Sequence, residues 1–204
     1  PSTVDGLGFD LKWNMGWMND FTTYMQTDPL FRKGRHGMLT FSMIYAYSEK
    51  FVLVFSHDEV VHLKGSMFAK MPGEPEEKYA NLRVAYGLMM AHPGKKLLFM
   101  GQEFAQKTEW NEKQELPWEQ AEEPDHRALQ QYVKALNTFY QEHPAWYETD
   151  FDAEGFEWLS SMDADHSIIT FMRYDAKKEE RLLVVCNFTP VTYENFKIGV
   201  PVAG

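Results

Sequence analysis

The chain has a single cysteine, Cys186, in 204 residues, so it forms no internal disulfide and holds no cysteine-rich zinc site. The neighbours of that cysteine, Leu182-Leu183-Val184-Val185 and Asn187-Phe188, include no base to activate a thiol, and a small buried hydrophobe is expected there. Scarce cysteine also points to a reducing compartment and hence to a cytoplasmic protein. No stretch approaches the roughly 20 apolar residues of a membrane span, and there is no charged-then-apolar leader. Positive charge is short as well: 20 Lys+Arg face 30 Asp+Glu, a formal net charge of −10. This balance argues against nucleic acid and anionic membranes as partners and fits a neutral, polyhydroxylated or other small ligand. The first residue is Pro1 rather than methionine, which leads to the expectation of a fragment or a processed product. Internal repeats and low-complexity tracts are also missing.

What the chain does have is apolar and aromatic mass, 44% and 15% of its residues, enough to build a sizeable core. Up to about Trp146, short apolar runs alternate with helical patterns. Leu7 to Trp13 holds room for a short strand, and Trp17, Phe21, Tyr24 and Met25 recur at helical spacing until Asp28-Pro29. A second helical stretch is expected over Leu39 to Tyr47, then a strand over Phe51–Phe55, five apolar residues in a row. Tyr79, Leu82, Tyr86, Met89 and Met90 trace one helix face, stopped by His92-Pro93-Gly94. Leu97-Leu98-Phe99-Met100 reads as another buried strand. The clearest amphipathic helix carries Leu129, Tyr132, Val133, Leu136, Phe139 and Tyr140, with Asp125 as expected N-cap and Pro144 beyond its end. Such a βαβα series implies a parallel sheet. From about Phe151 the helical period vanishes. Phe156–Leu159, Ile168–Arg173, Leu182–Phe188 and a further stretch within Val191 to Val200 read as strands of a small antiparallel domain.

The run Ser56-His57-Asp58-Glu59-Val60-Val61-His62 follows directly on Phe51–Phe55. It sets ionisable groups at the C-terminal end of a buried strand, which is the functional edge of an α/β barrel. An acid there is either catalytic or a helix cap. His57 and His62 lack the i, i+4 spacing of a zinc-binding helical pair. Only about three strand-plus-helix units are visible, whereas a closed barrel has eight strands and roughly 250 residues. Three strands alone leave open apolar edges.

Five separated segments carry a resemblance to a known family. Ser56-His57-Asp58-Glu59-Val60-Val61-His62 resembles the fourth signature region of the 1,4-α-glucan (glycogen) branching enzymes of the α-amylase superfamily. Lys12-Trp13-Asn14-Met15-Gly16-Trp17-Met18 is similar to the segment around that family's sixth barrel strand, and Lys95 to Gln106 to its eighth strand and following loop. Phe156-Glu157-Trp158-Leu159 and Asn187-Phe188-Thr189-Pro190 resemble its C-terminal β domain. The resemblance implies an α/β plus all-β fold: about strands 6–8 of a (β/α)8 TIM barrel over residues 1–148, then a small antiparallel β-sandwich over residues 149–204. It implies transfer of a cleaved α-1,4-glucan segment to form an α-1,6 branch by retaining double displacement. That chemistry needs a nucleophilic carboxylate and an acid/base carboxyl roughly 5–5.5 Å apart.

In the family those two carboxyls follow the fourth and fifth strands, upstream of what this chain resembles, so the 204 residues alone are expected to be inactive. Asp5-Gly6-Leu7-Gly8-Phe9-Asp10 imitates the nucleophile motif, but Gly8 stands where the motif has arginine, and Asp10 is not taken as the nucleophile. Asp58 matches the family's third carboxylate, which stabilises the transition state, and His57 the imidazole that bonds a sugar hydroxyl beside it. Glu59 is left out of catalysis. Trp13, Trp17, Trp110 and Trp118 are candidates to stack on glucose rings; Trp17 suits the core better, and Trp110 has the most loop-like context. Glu103, just past a strand end, is a candidate to line the cleft. Leu63 departs from the family, where glycine is common before the lysine. No cofactor and no metal are implied. The expected partner is α-1,4-glucan or glycogen, with the open sheet edge covered by the rest of a barrel or by self-association. A non-catalytic glucan-binding or assembly module, or another glucan hydrolase of the superfamily, remain alternative readings.

Overall fold

In the computed structural model the described residues are 6–61 and 63–201. They form two sheets, a parallel one in the order β1-β2-β3 and an antiparallel one in the order β4-β5-β6. In chain order the elements are β1 (Lys12–Trp13), α1 (Met15–Gln26), α2 (Gly37–Thr40), β2 (Phe51–Phe55), α3 (Met67–Lys70), α4 (Pro75–Ala91) and β3 (Lys95–Leu98). Helix α5 (Pro124–Glu142) then leads to β4 (Phe156–Ser160), β5 (Ile168–Tyr174) and β6 (Arg181–Asn187).

Strand β2 is central in its sheet and all five of its residues are buried, as an unbroken apolar run demands when both faces are covered. Phe55 at its end lies 5.4 Å from the Trp17 ring of α1 and 5.9 Å from the Tyr86 ring of α4. Burying side chains of this size stabilises the fold by roughly 1.5–3 kcal/mol each. Helix α1 starts where Asn14 Oδ1 accepts the Trp17 N–H at 2.9 Å, an N-cap that satisfies an otherwise orphaned donor. Helix α4 starts with Pro75 and a reciprocal Glu74–Glu77 capping box and ends at His92, before Pro93-Gly94.

Several expectations are corrected. Strand β3 spans Lys95–Leu98 and is only half-buried, and Met100 is 51% exposed. β3 pairs on one side only, and Gly101 at φ +87° turns the chain away. A side chain at that position is strained by the positive φ, and its Cβ would push aside the Gln106 amide. The N-cap of α5 is Glu123, not Asp125, since Pro124 takes the first helical position. Val191 to Val200 contains no strand. Asn187 Oδ1 accepts the Thr189 N–H at 3.0 Å, which turns the chain at Pro190, and Asn195 has φ +56°. Among the described residues the β part is therefore one three-stranded sheet rather than a sandwich. The parallel sheet also has three strands and is open at both edges.

The antiparallel sheet packs on the helices of the parallel one. Phe188, just past β6, sets its ring edge-on to Tyr24 at 5.3 Å and to Phe21 at 6.3 Å. Arg32, 1% exposed, lies at that seam. Its guanidinium donates to the carbonyls of Thr27, Phe188 and Met25 and to Asn81 Oδ1 at 2.7–3.0 Å. A planar fork with several donors can satisfy four acceptors at once, which a lysine cannot. Within the described residues no helix is long and apolar enough to cross a membrane.

Candidate functional site

The C-terminal end of β2 runs into a single 3-10 turn, His57–Glu59, capped by Ser56. Ser56 Oγ accepts the Asp58 N–H at 3.2 Å and donates to Asp58 Oδ2 at 3.4 Å. The serine therefore fixes both the backbone and the carboxylate of Asp58. His57 Nε2 stands 3.3 Å from Asp58 Oδ1, and the two side chains are 46% and 45% exposed. The pair forms an open ledge at the edge of the sheet, with the carboxylate turned to solvent on one side and to an imidazole on the other.

Two long side chains and one loop hold the ledge. Gln102, 4% exposed, donates through Nε2 to the Phe55 carbonyl at 3.2 Å, and the Tyr86 hydroxyl donates to the Gln102 carbonyl at 3.0 Å. Lys64 Nζ donates to the Asp58 carbonyl at 2.6 Å. The loop after β3 is stitched to the loop after β2. Trp110 N–H donates to the Val60 carbonyl at 2.8 Å, Gly65 N–H to Glu109 Oε2 at 3.3 Å, and Ser66 Oγ to the Lys107 carbonyl at 2.9 Å.

Rings line the ledge in sequence. Trp13 at the end of β1 meets His57 edge-on at 6.5 Å, His57 meets Phe99 at 5.8 Å, and Phe99 meets Trp110 edge-on at 5.1 Å. The structure thus brings together Asp58, His57, Trp13 and Trp110. It does not bring Trp17, which is 2% exposed in the core, nor Trp118, whose ring lies 5.5 Å from Phe104. Glu103 is half-buried in the 3-10 turn Gln102–Phe104. Within the described residues no hydrogen bond or ring contact links it to Asp58. Asp10 is exposed ahead of β1, while Asp5 and His62 lie outside the described residues. Among those residues no three His, Cys, Asp or Glu side chains gather as metal ligands.

Sequence reasoning missed three supporting residues. Phe99 reads as one more strand residue, because an apolar run carries no mark of where its ring points. Ser56 carried a usable signal, a small hydroxyl just before an acid-rich turn, which is a capping pattern. Gln102 carried none. Cys186 is buried, and burial pushes its thiol up to about 12, so it stays protonated and inert.

Comparison with known proteins adds the following. Residues 158–204 match the family model described as the alpha amylase C-terminal all-beta domain. Over its whole length the chain is 54% identical to the 1,4-alpha-glucan branching enzyme GlgB of Aquifex aeolicus (strain VF5), of which it covers 32%. It is 52% identical to the 1,4-alpha-glucan branching enzyme GlgB 2 of Clostridium perfringens (strain 13 / Type A), covering 31% of that protein. The chain therefore spans about a third of the length of the curated relatives it matches. Among solved structures, a debranching enzyme of Nostoc punctiforme aligns with a TM-score of 0.64 at 16% identity, over 91% of this chain and 38% of that one. A pullulanase of Paenibacillus barengoltzii aligns with a TM-score of 0.62 at 17% identity, over 87% and 31%. At such identities the likeness concerns the fold.

Proposed function

We propose that this chain, homologous along its whole length to about a third of the 1,4-α-glucan branching enzymes, works as part of such an enzyme, with residues 1–148 in a (β/α)8 barrel and residues 149–204 as its C-terminal β domain. The intact protein cleaves an α-1,4 linkage of a glucan, holds the piece as a covalent glycosyl-enzyme, and transfers it to a 6-hydroxyl. Within these residues the reaction finds Asp58, His57 and the aromatic ledge. The nucleophile and the acid/base carboxyl come from elsewhere in the protein. A cytoplasmic location accords with the single, inert thiol of Cys186.

The observation that carries this reading is the geometry of Asp58. Its carboxylate is fixed by Ser56 at the C-terminal end of a buried strand, half open to solvent, with an imidazole 3.3 Å away. A fixed anion at that edge favours a developing oxocarbenium ion, and hydroxyl bonds that tighten in the transition state add to it. His57 supplies one such bond beside Asp58. Trp13 and Trp110 offer apolar faces to the C–H groups of glucose rings.

The test is Asp58→Asn in the intact protein, a change that keeps the size and the Ser56 contact of the side chain. Formation of α-1,6 linkages from linear α-1,4-glucan is expected to fall by about 10²–10³-fold or more, as when a transition-state electrostatic partner is removed, with the unfolding midpoint little changed. Retention of more than a tenth of parental branching overturns the assignment. Free oligosaccharides in place of branches point to a hydrolase instead, and saturable glucan binding without turnover to a binding module.

A further inference from the structure

Phe99 is the one ring on the ledge that the sequence does not mark as a candidate for substrate contact, and it stands between His57 and Trp110. Its backbone N–H donates to the Phe55 carbonyl at 3.0 Å, which extends the β2–β3 pairing one residue past Leu98 and fixes where its side chain emerges. The ring lies 5.8 Å from His57 at an interplanar angle of 50°, and 5.1 Å from Trp110 at 86°. Adjacent strands lie about 4.8 Å apart, so a ring at the end of β3 reaches a ring at the end of β2 without backbone distortion. His57 itself is nearly half exposed, and its polar neighbour is Asp58. Trp13 faces it at 6.5 Å. The imidazole therefore has an aromatic neighbour at the end of each adjacent strand, with Phe99 the nearer. On the far side, Trp110 is pinned through its backbone to Val60, which leaves its indole plane to be set by what it packs against. Its ring neighbour among the described residues is Phe99, and an edge-to-face pair has a preferred angle.

We propose that Phe99 is a positioning residue for the substrate: it holds the His57 imidazole toward Asp58 and sets the plane of the Trp110 indole, so that the two present a fixed width to an incoming glucan. The proposal rests on the reading of Asp58 and His57 as sugar-contacting groups. Phe99 touches no reacting atom. It acts through its neighbours, and its removal loosens ground-state and transition-state contacts alike. Uniform loss of binding of this kind raises KM more than it lowers kcat.

The experiment uses the intact protein and three substitutions: Phe99→Leu, which keeps an apolar side chain but no ring, Phe99→Tyr, which keeps the ring, and Asp58→Asn. Steady-state branching of linear α-1,4-glucan, quenching of tryptophan fluorescence by maltoheptaose and the NMR chemical shift of the His57 ring are the three readouts, with the urea unfolding midpoint as the control for structure. Phe99→Leu is expected to raise KM and weaken maltoheptaose binding by about three- to tenfold, the size of a lost aromatic pair, with kcat changed less than about threefold. The His57 resonance should lose its ring-current shift, and Phe99→Tyr should restore all three readouts to within about twofold of the parent. Unchanged KM and maltoheptaose binding in Phe99→Leu overturn the proposal, as does an equal fall of kcat, kcat/KM and the unfolding midpoint in both variants, which marks a structural role. If Asp58→Asn retains branching, the reading of the site fails instead, and the His57 and fluorescence readouts still report whether Phe99 holds its neighbours.

Discussion

Leu63 has φ +68° and is 97% exposed. A side chain with a Cβ costs about 1–2 kcal/mol in the left-handed region, and an exposed leucine recovers none of this by burial. The position lies beside Lys64, whose ammonium reaches back to the Asp58 carbonyl at 2.6 Å, so the cost is borne next to the site rather than at random. Glycine removes the clash but loses about 0.5–1 kcal/mol more chain entropy on folding. Leu63→Gly is therefore expected to raise stability by up to about 1 kcal/mol, read as a higher urea midpoint at unchanged slope. A lowered midpoint contradicts the account and means that the leucine makes contacts worth more than its strain. The departure from the common glycine was visible in the sequence. Its consequence was not, because the sign of φ depends on how Lys64 and Gly65 fold back over the end of β2.

His92 connects elements. It is the C-cap of α4 and is 2% exposed. Its Nδ1 lies 2.9 Å from the Pro93 carbonyl, which only accepts, so Nδ1 carries the proton and Nε2 accepts from the Ser42 hydroxyl at 3.1 Å. Burial pushes its pKa from 6.5 down to about 3, and nearby Lys96 and Arg173 push the same way, against the pull of the Pro93 carbonyl and Asp150. Between pH 6.5 and about 3 the unfolded chain binds a proton that the native state refuses. The stability tied to neutral His92 is thus complete above pH 6.5 and drains away as pH falls toward 3. His92→Gln is expected to cost about 1–2 kcal/mol at pH 7.5 through the altered Ser42 bond, and this deficit should narrow steadily in urea titrations from pH 6.5 to 4. A deficit that stays constant over that range rules out the neutral imidazole as its source. The sequence made His92 legible as a helix stop because Pro93-Gly94 follows it. It made β2 and α4 legible for a similar reason, an unbroken apolar run in one and a helical period ending at a breaker in the other. The β3 boundary and the Val191–Val200 stretch were misread because edge position and side-chain turns, such as that of Asn187, are decided by neighbours distant in sequence.

At the scale of the molecule, the question is what locks the antiparallel sheet against the parallel one. Burial accounts for part of the answer, and a charged cluster at the seam accounts for its geometry. Asp150, 1% exposed, accepts from four donors: Gly94 N–H at 3.2 Å, Lys95 Nζ at 3.1 Å, the Tyr140 hydroxyl at 3.0 Å and Arg173 Nη2 at 3.2 Å. Those donors belong to the turn before β3, to β3, to α5 and to β5. Arg173, fully buried, also donates to the Ala91 carbonyl at 2.7 Å, at the end of α4. One carboxylate therefore sets the register between both sheets and two helices, and neither member of the ion pair can turn to water. Lys95 differs, since its side chain is 40% exposed and finds solvent if Asp150 is lost. Removing one member of a buried pair strands the other, at a cost of about 3–5 kcal/mol. Asp150→Ala and Arg173→Met are each expected to destabilise by about that amount. In the double variant neither Asp150 nor Arg173 is left without the other, so its deficit should fall short of the sum by about 1–3 kcal/mol. A double-mutant cycle in urea, followed by both far-ultraviolet circular dichroism and tryptophan fluorescence, measures this coupling. Additive losses show that the two residues act independently, in which case apolar contacts such as Phe188 on Tyr24 and Phe21, rather than the ion pair, hold the two sheets together.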